Sequence, residues 1–186
     1  MKKYLIFIIK IYVLLTFGIF KVYSKEIPIK FDDNNWKVLN IIINNNQNDN
    51  ELVLNFLDDH YFFEFENVSN MLNINVNTNI KFIGTKNKTV FDFNYKDHAF
   101  YFFYNERNYK GYTVSFENII FKNYKYSSLD GGMGIVLVEA SSENFGLFFE
   151  NCIFQNNFNS LLRFNVKNKK TDKEGYSFLM NNCKFM

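Results

Sequence analysis

The sequence predicts an all-β fold in which short strands stack as successive coils of a solenoid. The main observation is a six-residue segment, residues 116–121, that returns at residues 149–154 and again at residues 180–185. A near-constant offset of this size is typical of stacked repeats, because each unit can bury its apolar face only against the next unit. At about 32 residues per coil, residues 51–186 would form on the order of four coils.

Each copy of the repeat moves its apolar side chains from one strand face to the other. In the first copy, Val114 and Phe116 are followed by Ile119 and Phe121, a switch from even to odd positions. Since strand side chains alternate with period two, the switch requires a bend between two short strands. An asparagine, which tolerates the left-handed backbone of such bends, occupies the position in every copy. These bend residues are Asn118, Asn151 and Asn182. The alternative is a set of antiparallel hairpins with coincidental similarity.

Strand–Asn bend–strand units at this spacing resemble the right-handed parallel β-helix of the pectin-lyase-like superfamily. Residues 131–135 and 154–157 are also similar to the Gly-Gly-small-aliphatic and Phe-x-x-Asn repeats of polymorphic outer-membrane adhesins. The clear match covers residues 112–186, and its motifs are specific for architecture rather than for activity. The resemblance implies that the bend asparagines form a ladder and that apolar side chains stack inside the coils. The stacked positions are Phe116, Phe149, Met180, Phe121, Phe154 and Phe185.

Residues 1–24 have the layout of a cleaved secretory signal peptide. Lys2, Lys3 and Lys10 precede a ten-residue apolar core, and small or aliphatic residues stand before the predicted cleavage after Ser24. The alternative is a retained N-terminal membrane anchor, against which Lys10 counts because a charge inside a membrane span is costly. The sequence therefore predicts a secreted or cell-surface protein.

Residues 25–50 are predicted to be an N-terminal cap and linker. A short helix over residues 34–45 would place Trp36, Leu39 and Ile43 on one face. Such a helix would cover the exposed edge of the first coil. A strand in the same place is the alternative.

Residues 51–186 form the predicted β-helix domain. Its first strands are expected at residues 51–56 and 61–65, and alternating Asn and apolar residues over 73–82 predict another strand. No polar cap follows the third copy of the repeat, so the C-terminal coil is expected to be incomplete. Three explanations stay open: a truncated piece of a longer solenoid, self-association through the open C-terminal coil, or a final strand too short to matter.

Two cysteines, Cys152 and Cys183, occupy the same position of the repeat. On adjacent coils their Cα atoms would lie about 4.8 Å apart, a distance that permits a disulfide in an oxidising compartment. In-register side chains point the same way, however, so their Cβ atoms would not converge to the usual distance of about 3.8 Å. Free thiols and a disulfide are therefore both open. Two cysteines and two distant histidines do not indicate a zinc site, and the sequence indicates no other cofactor.

The sequence argues against catalysis. The resemblance implies that an enzyme of the pectin-lyase-like class carries clustered carboxylates with Arg or Lys, or a Gly-His-Gly signature, and Gly-His-Gly does not occur here. Asp58 and Asp59 beside His60 are the one carboxylate pair next to a histidine, and adjacent strand residues point to opposite faces. The only arginines, Arg107 and Arg163, are too few for a multi-arginine clamp on uronates.

An aromatic run over residues 100–112 is more typical of a core strand followed by an insertion loop. Its members are Phe100, Tyr101, Phe102, Phe103, Tyr104, Tyr109 and Tyr112. The alternative is that exposed members of the run stack on sugar rings.

The net charge limits the classes of partner, and two sequons predict sites of glycosylation. Four of the 21 basic residues and none of the 19 acidic residues lie before Ser24, so the remaining chain has 17 basic and 19 acidic residues, a net charge of −2. That balance argues against nucleic-acid binding. Asn67 and Asn87 each begin an N-glycosylation sequon.

These observations together predict a secreted, non-catalytic β-helix module for surface, adhesion or carbohydrate contact. The predicted partner is a polysaccharide or a cell-surface component. The alternative function is that of a degenerate or incomplete polysaccharide lyase or glycoside hydrolase of the pectin-lyase-like class.

Overall fold

The structure, a computed structural model, describes residues 24–32, 35–63, 71–104, 111–125, 134–141, 144–158, 160–167 and 177–186. The predicted signal peptide up to residue 23, and Asn67, Arg107 and Tyr109, lie outside the described residues. The described chain is an all-β, parallel solenoid of about four turns with one short helix, which confirms the predicted fold class.

The described residues form fifteen strands and the helix α1 (Leu39–Asn45), which follows a 3-10 turn at Asn35–Val38. The strands are β1 (Ser24–Ile29), β2 (Glu51–Phe56), β3 (His60–Phe62), β4 (Met71–Asn75), β5 (Asn79–Ile83), β6 (Thr89–Asp92), β7 (Ala99–Tyr104), β8 (Thr113–Glu117), β9 (Ile119–Lys122), β10 (Val136–Ala140), β11 (Gly146–Glu150), β12 (Ile153–Gln155), β13 (Leu162–Val166), β14 (Phe178–Asn181) and β15 (Lys184–Phe185).

Three parallel sheets form the walls of the solenoid. Sheet A has the order β1-β2-β5-β8-β11-β14, sheet B has β3-β6-β9-β12-β15, and sheet C has β4-β7-β10-β13. From β2 onward the chain passes from sheet A to B to C and back to A, so each coil has an A–B corner, a B–C corner and a C–A corner. Residues at equivalent corner positions are roughly 30 apart in sequence, yet only about 4.8 Å apart along the stack.

The region predicted as N-terminal cap and linker, residues 25–50, begins with a strand of sheet A. Strand β1 pairs in parallel with β2, with Ser24 opposite Glu51 and Ile29 opposite Phe56, so sheet A begins one strand before Glu51. The strand was missed because Pro28 and neighbouring charges hide its alternation. An edge strand tolerates both features, since one of its sides pairs with no other strand, and they discourage further pairing there.

Columns of aromatic rings fill the interior. Phe116 stacks on Phe149 with ring centroids 5.2 Å apart, and Phe121 stacks on Phe154 at 5.0 Å. All four rings are buried. In the last coil Met180 pairs with Phe149 and is half-buried, and Phe185 stacks on Phe154 but is 60% exposed. The six positions expected to stack therefore do lie in two columns.

Helix α1 caps the free edge of sheet C. The helix buries its own side chains Leu39 and Ile43, as the predicted apolar face requires. The Asn44 amide donates to Asn73 O and accepts from Asn75 N, both at 3.1 Å. The Gln47 amide does the same for Asn75 O and Asn77 N, both at 2.7 Å. Two side-chain amides thus stand in for a neighbouring strand and satisfy edge groups that would otherwise recruit another chain.

Removing both amides should destabilise the protein and open this edge. For the double variant Asn44→Leu/Gln47→Leu we expect the free energy of unfolding to fall by roughly 2–4 kcal/mol, since four neutral hydrogen bonds of about 1 kcal/mol each are lost. We also expect aggregation that thioflavin fluorescence detects. The matched control is Asn45→Leu, which adds the same side chain to an exposed position of α1. Equal stability of the double variant and the control would contradict the capping role.

The last coil is the most apolar part of the described surface. Four of its side chains, Phe178, Leu179, Phe185 and Met186, are between 38% and 69% exposed. They lie on β14, on β15 and directly after it, at the free edges of sheets A and B. In the described part of the chain, no helix is both long enough and apolar enough to cross a membrane.

Candidate functional site

The three bend asparagines form a ladder along the A–B corner. Asn118, Asn151 and Asn182 have left-handed backbones with φ of 58°, 54° and 50°. The Asn151 amide donates to Asn118 Oδ1 at 2.6 Å, and the Asn182 amide donates to Asn151 Oδ1 at 3.2 Å. The ladder is a structural device, because the side-chain oxygens of Asn118 and Asn151 accept from the next coil instead of facing a ligand.

A lysine holds the ladder position in the preceding coil. Lys88 immediately precedes Thr89, which pairs with Ile119, so Lys88 aligns with Asn118. Its φ is 74°, and its ammonium donates to Asn151 O at 2.6 Å. Lys88 thus ties the second coil to the fourth at this corner.

A second column of left-handed residues lines the B–C corner and was not predicted. Asn123 and Asn156 have φ of 59° and 52°, and Asn94 and Tyr95 adopt the same region in an earlier coil. The available signal was the pair Phe121-Lys-Asn123 and Phe154-Gln-Asn156, which recurs at the repeat offset. Left-handed residues therefore recur in successive coils at both the A–B and the B–C corners.

Both cysteines are free thiols in the structure. Cys152 is buried, and its Sγ lies 3.5 Å from Phe116 O; Cys183 is half-buried, and its Sγ lies 3.6 Å from Phe149 O. Each sulfur also lies near a carbonyl of its own coil, with Cys152 Sγ 3.4 Å from Glu150 O and Cys183 Sγ 3.3 Å from Asn181 O. Of the two alternatives left open by the sequence, the structure contains the free thiols and not the disulfide.

The two thiols should differ in reactivity. Burial raises the pKa of Cys152 to about 12. Because the thiolate is the nucleophile, we expect iodoacetamide at pH 8 to label Cys183 and to leave Cys152 unlabelled, as mass spectrometry of the digested protein would reveal. Unfolding in urea should expose both thiols and serves as the control. If neither is labelled in urea without reductant, the two are joined by a disulfide.

The carboxylate–histidine cluster at residues 58–60 has structural partners. Asp58 accepts from Phe31 N at 2.7 Å and from Tyr61 OH at 3.2 Å, while Asp59 is exposed. His60 Nε2 lies 3.4 Å from Asp92 Oδ2 in the neighbouring coil. The Asp58 carboxylate therefore ties two strands of the first coil together.

The Asp92 carboxylate that His60 approaches also accepts hydrogen bonds from residues at the B–C corner. The buried Asp92 accepts from Asn94 N at 2.9 Å and from the Asn123 amide at 3.0 and 3.2 Å. Its oxygens are committed to closing the turn at the B–C corner. In the described ranges no group of three or more His, Cys, Asp or Glu comes together to hold a metal ion.

The described part of the aromatic run is mostly a core strand, the interpretation that the sequence favours over a sugar-stacking surface. Strand β7 buries Phe100, Phe102 and Tyr104 in the interior of the solenoid. The alternation of the strand explains this, since every second side chain must enter the solenoid. The members that remain half-buried are Tyr101 and Phe103, on the outer face of sheet C, and Tyr112.

The candidate site is a polar cleft of about 600 Å³ at the C–A corner. Three segments line it, one from each of three successive coils: residues 47–50, 77–79 and 111–113. Since neighbouring coils are about 4.8 Å apart, the cleft extends roughly 10 Å along the solenoid. Sequence analysis identified only Tyr112 of this set. The available signal was that asparagine-rich segments precede both β2 and β5.

Some polar groups of the cleft hold its walls in place. Thr78 Oγ1 donates to Asp49 O at 2.6 Å, and Asn79 Oδ1 accepts from Thr113 N and Oγ1 at 2.9 and 3.1 Å. Asn48 and Asn50 are exposed and make no hydrogen bond to any described residue. The cleft therefore combines a rigid rim with amides that are available to a ligand.

Gly111 makes close approach of the fourth coil possible at this corner. Its φ is +65°, and a Cβ atom there would lie 2.3 Å from Asn144 Oδ1. An L side chain rarely adopts this backbone, and its Cβ would displace the Asn144 amide, so glycine is the residue that fits this turn best.

Comparison with known proteins finds no match: no family model matches the sequence, and neither a curated protein nor a solved structure matches the chain. The functional conclusion therefore depends on the geometry and chemistry of the cleft.

Proposed function

We propose that this protein is a secreted, non-catalytic β-solenoid module that contacts carbohydrate through the cleft at the C–A corner. The observation that carries the proposal is the composition of that cleft, which is lined by amides and hydroxyls and bordered by the half-buried ring of Tyr112. The similarity of its repeats to pectin-lyase-like and adhesin coils supports a role at a surface.

Amide side chains match the hydrogen-bonding needs of sugars. A sugar hydroxyl both donates and accepts, and Asn50 and Asn48 offer an NH₂ donor and a carbonyl acceptor on one side chain. The ring of Tyr112 presents an apolar face with a polar tip, which suits the C–H face of a pyranose. A few convergent polar groups beside an aromatic ring in a concave site are the usual features of a small-ligand pocket.

The expected ligand is a neutral sugar chain rather than a uronate. Among the described lining residues, Asp49 is the one that carries charge at neutral pH, and it is anionic. A uronate carboxylate would meet like charge there and no cation among those residues, so its binding would be disfavoured.

The test is binding of neutral oligosaccharides, measured by saturation-transfer NMR and titration calorimetry. We expect Asn50→Ala and Tyr112→Leu to weaken binding at least tenfold, with leucine chosen because Tyr112 also packs against the core. Asn165→Ala, at an exposed position of sheet C outside the cleft, is the matched control and should bind normally. Absence of binding across a broad panel of polysaccharides would contradict the proposed contact with carbohydrate.

Catalysis is tested separately. We expect no new reducing ends and no unsaturated products when the protein is incubated with pectic and xylan polymers. Robust turnover would contradict the proposal of a non-catalytic module and would favour the lyase or hydrolase alternative.

Self-association through the last coil is part of the proposal. The exposed side chains of Phe185 and Leu179 lie at free sheet edges, where another β-chain can pair. We expect light scattering with size-exclusion chromatography to show concentration-dependent association that Phe185→Lys/Leu179→Lys abolishes. The control is Leu57→Lys, which changes an exposed leucine after β2. A monomer at every concentration would contradict this part.

A further inference from the structure

Asn87 lies on an exposed turn at the A–B corner of the second coil. The turn spans residues 85–88 and is closed by a hydrogen bond of 2.9 Å from Lys88 N to Thr85 O. Asn87 is exposed, and its amide makes no hydrogen bond to the described residues. Together with Lys88 and Thr89 it forms an Asn-x-Thr sequon, so the acceptor nitrogen itself is open to a transferase.

The hydroxyl of Thr89, the third residue of the sequon, is buried in the folded protein. Thr89 is 0% exposed. Its Oγ1 donates to Asp58 O at 3.0 Å and accepts from Thr85 N at 3.0 Å. One hydroxyl therefore links the first coil to the second and fastens the turn that carries Asn87.

Lys88, the middle residue of the sequon, is also fixed by a contact of the folded protein. The ammonium of Lys88 donates to Asn151 O in the fourth coil, and its backbone is left-handed. The contact joins residues 63 apart in sequence, so it forms only after the solenoid has closed to that point. In the finished fold the sequon cannot extend away from the surface without breaking these contacts.

We propose that Asn87 is an N-glycosylation site that is modified before the solenoid closes, and that the folded protein is not an acceptor. The proposal rests on the secretion included in the proposed function, since the donor is a lipid-linked oligosaccharide of the secretory pathway. In the step, the Asn87 amide nitrogen forms a bond to C1 of the donor sugar. The bond from C1 to the pyrophosphate oxygen breaks, the lipid pyrophosphate leaves, and the amide proton passes to a base of the transferase.

The attached glycan would leave the proposed ligand site open. Asn87 lies at the A–B corner, whereas the cleft occupies the C–A corner. The two corners are separated by strands of sheet A, such as β5. Glycosylation would therefore add a polar group to the surface without covering the cleft.

The test compares three states of the full chain in an Asn67→Gln background, so that any glycan belongs to Asn87. The chain is first translated with microsomes. The purified folded chain and a chain that cannot fold because of Phe116→Asp are then each incubated with purified oligosaccharyltransferase and lipid-linked donor. We expect a glycosidase-sensitive mass shift in the microsomes and on the unfolded chain, and at least a tenfold slower reaction on the folded chain. Asn87→Gln should abolish the shift in every state.

Failure of secretion and failure of this inference give different results. A parallel microsomal translation uses a known signal peptide in place of residues 1–24. Modification only with the replacement signal would overturn the proposed secretion and keep the site. No modification of translocated chain with either signal would overturn the site. Equal rates on the folded and unfolded chains would overturn the order of modification and folding.

Discussion

Replacing Phe116 by alanine is expected to lower the free energy of unfolding by about 3–5 kcal/mol, the range for a large aromatic residue in a core. The ring is fully buried and stacks between Phe82 at 4.6 Å and Phe149 at 5.2 Å. It also meets Phe121 edge to face at 5.3 Å. The variant leaves a cavity in the middle of a column, where neighbours held by their own coils cannot collapse into it. Urea unfolding followed by circular dichroism measures the change.

The matched control is Phe62→Ala. Phe62 lies on β3 of the neighbouring sheet but is 42% exposed, and its ring stacks on His60. We expect it to cost less than about 1 kcal/mol, as surface substitutions usually do. Similar losses for the two variants would show that the aromatic column is not the main source of stability. Because most contacts join adjacent coils, a shallower urea dependence for Phe116→Ala would indicate that the coils on either side unfold separately.

Replacing Asn151 by alanine is expected to cost roughly 2–4 kcal/mol. The left-handed backbone at φ 54° costs about 1–2 kcal/mol for an ordinary side chain. The variant also loses the ladder bonds to Asn118 and Asn182, each worth about 1 kcal/mol. The same urea measurement applies.

Glycine at the same position separates the two causes. Asn151→Gly removes the ladder bonds but accepts the left-handed backbone, so we expect roughly half the loss of the alanine variant. Equal losses for the two variants would assign the whole effect to the side-chain bonds. An alanine variant within about 0.5 kcal/mol of the unmodified protein would show that the ladder is incidental.

The repeat carried most of the prediction of the fold. A period near 32 residues, the parity switch and the bend asparagine are all local properties, and each follows from alternation and backbone sterics. They located Asn118, Asn151 and Asn182 and the two columns of stacked side chains. The helix was predicted separately, from the i, i+3 and i+7 spacing of Trp36, Leu39 and Ile43. The first strand escaped because Pro28 interrupts its pattern, and an edge strand needs only one paired side.

The candidate cleft could not be predicted in the same way. Its walls come from residues 47–50, 77–79 and 111–113, which belong to three coils and share no motif. Asparagine is so frequent in this chain that its presence in a loop carries little information. Tyr112 belongs to an aromatic run in which Phe100, Phe102 and Tyr104 are buried. Period-two alternation identifies buried positions only when the strand bounds are known, so the sequence could not separate Tyr112 from the buried members.

The coil period, the left-handed bends and the inward-facing apolar positions can be read from the amino-acid sequence alone, because they depend on the covalent chain and its immediate neighbours. Four features follow only from the folded coils: the concave corner, the closure of the edge of sheet C by the amides of α1, the free thiols, and the burial of Thr89 behind Asn87. These features depend on the register between coils. Side chains about 30 residues apart become neighbours at about 4.8 Å only once the coils are stacked, and the length of each corner loop sets which of them meet.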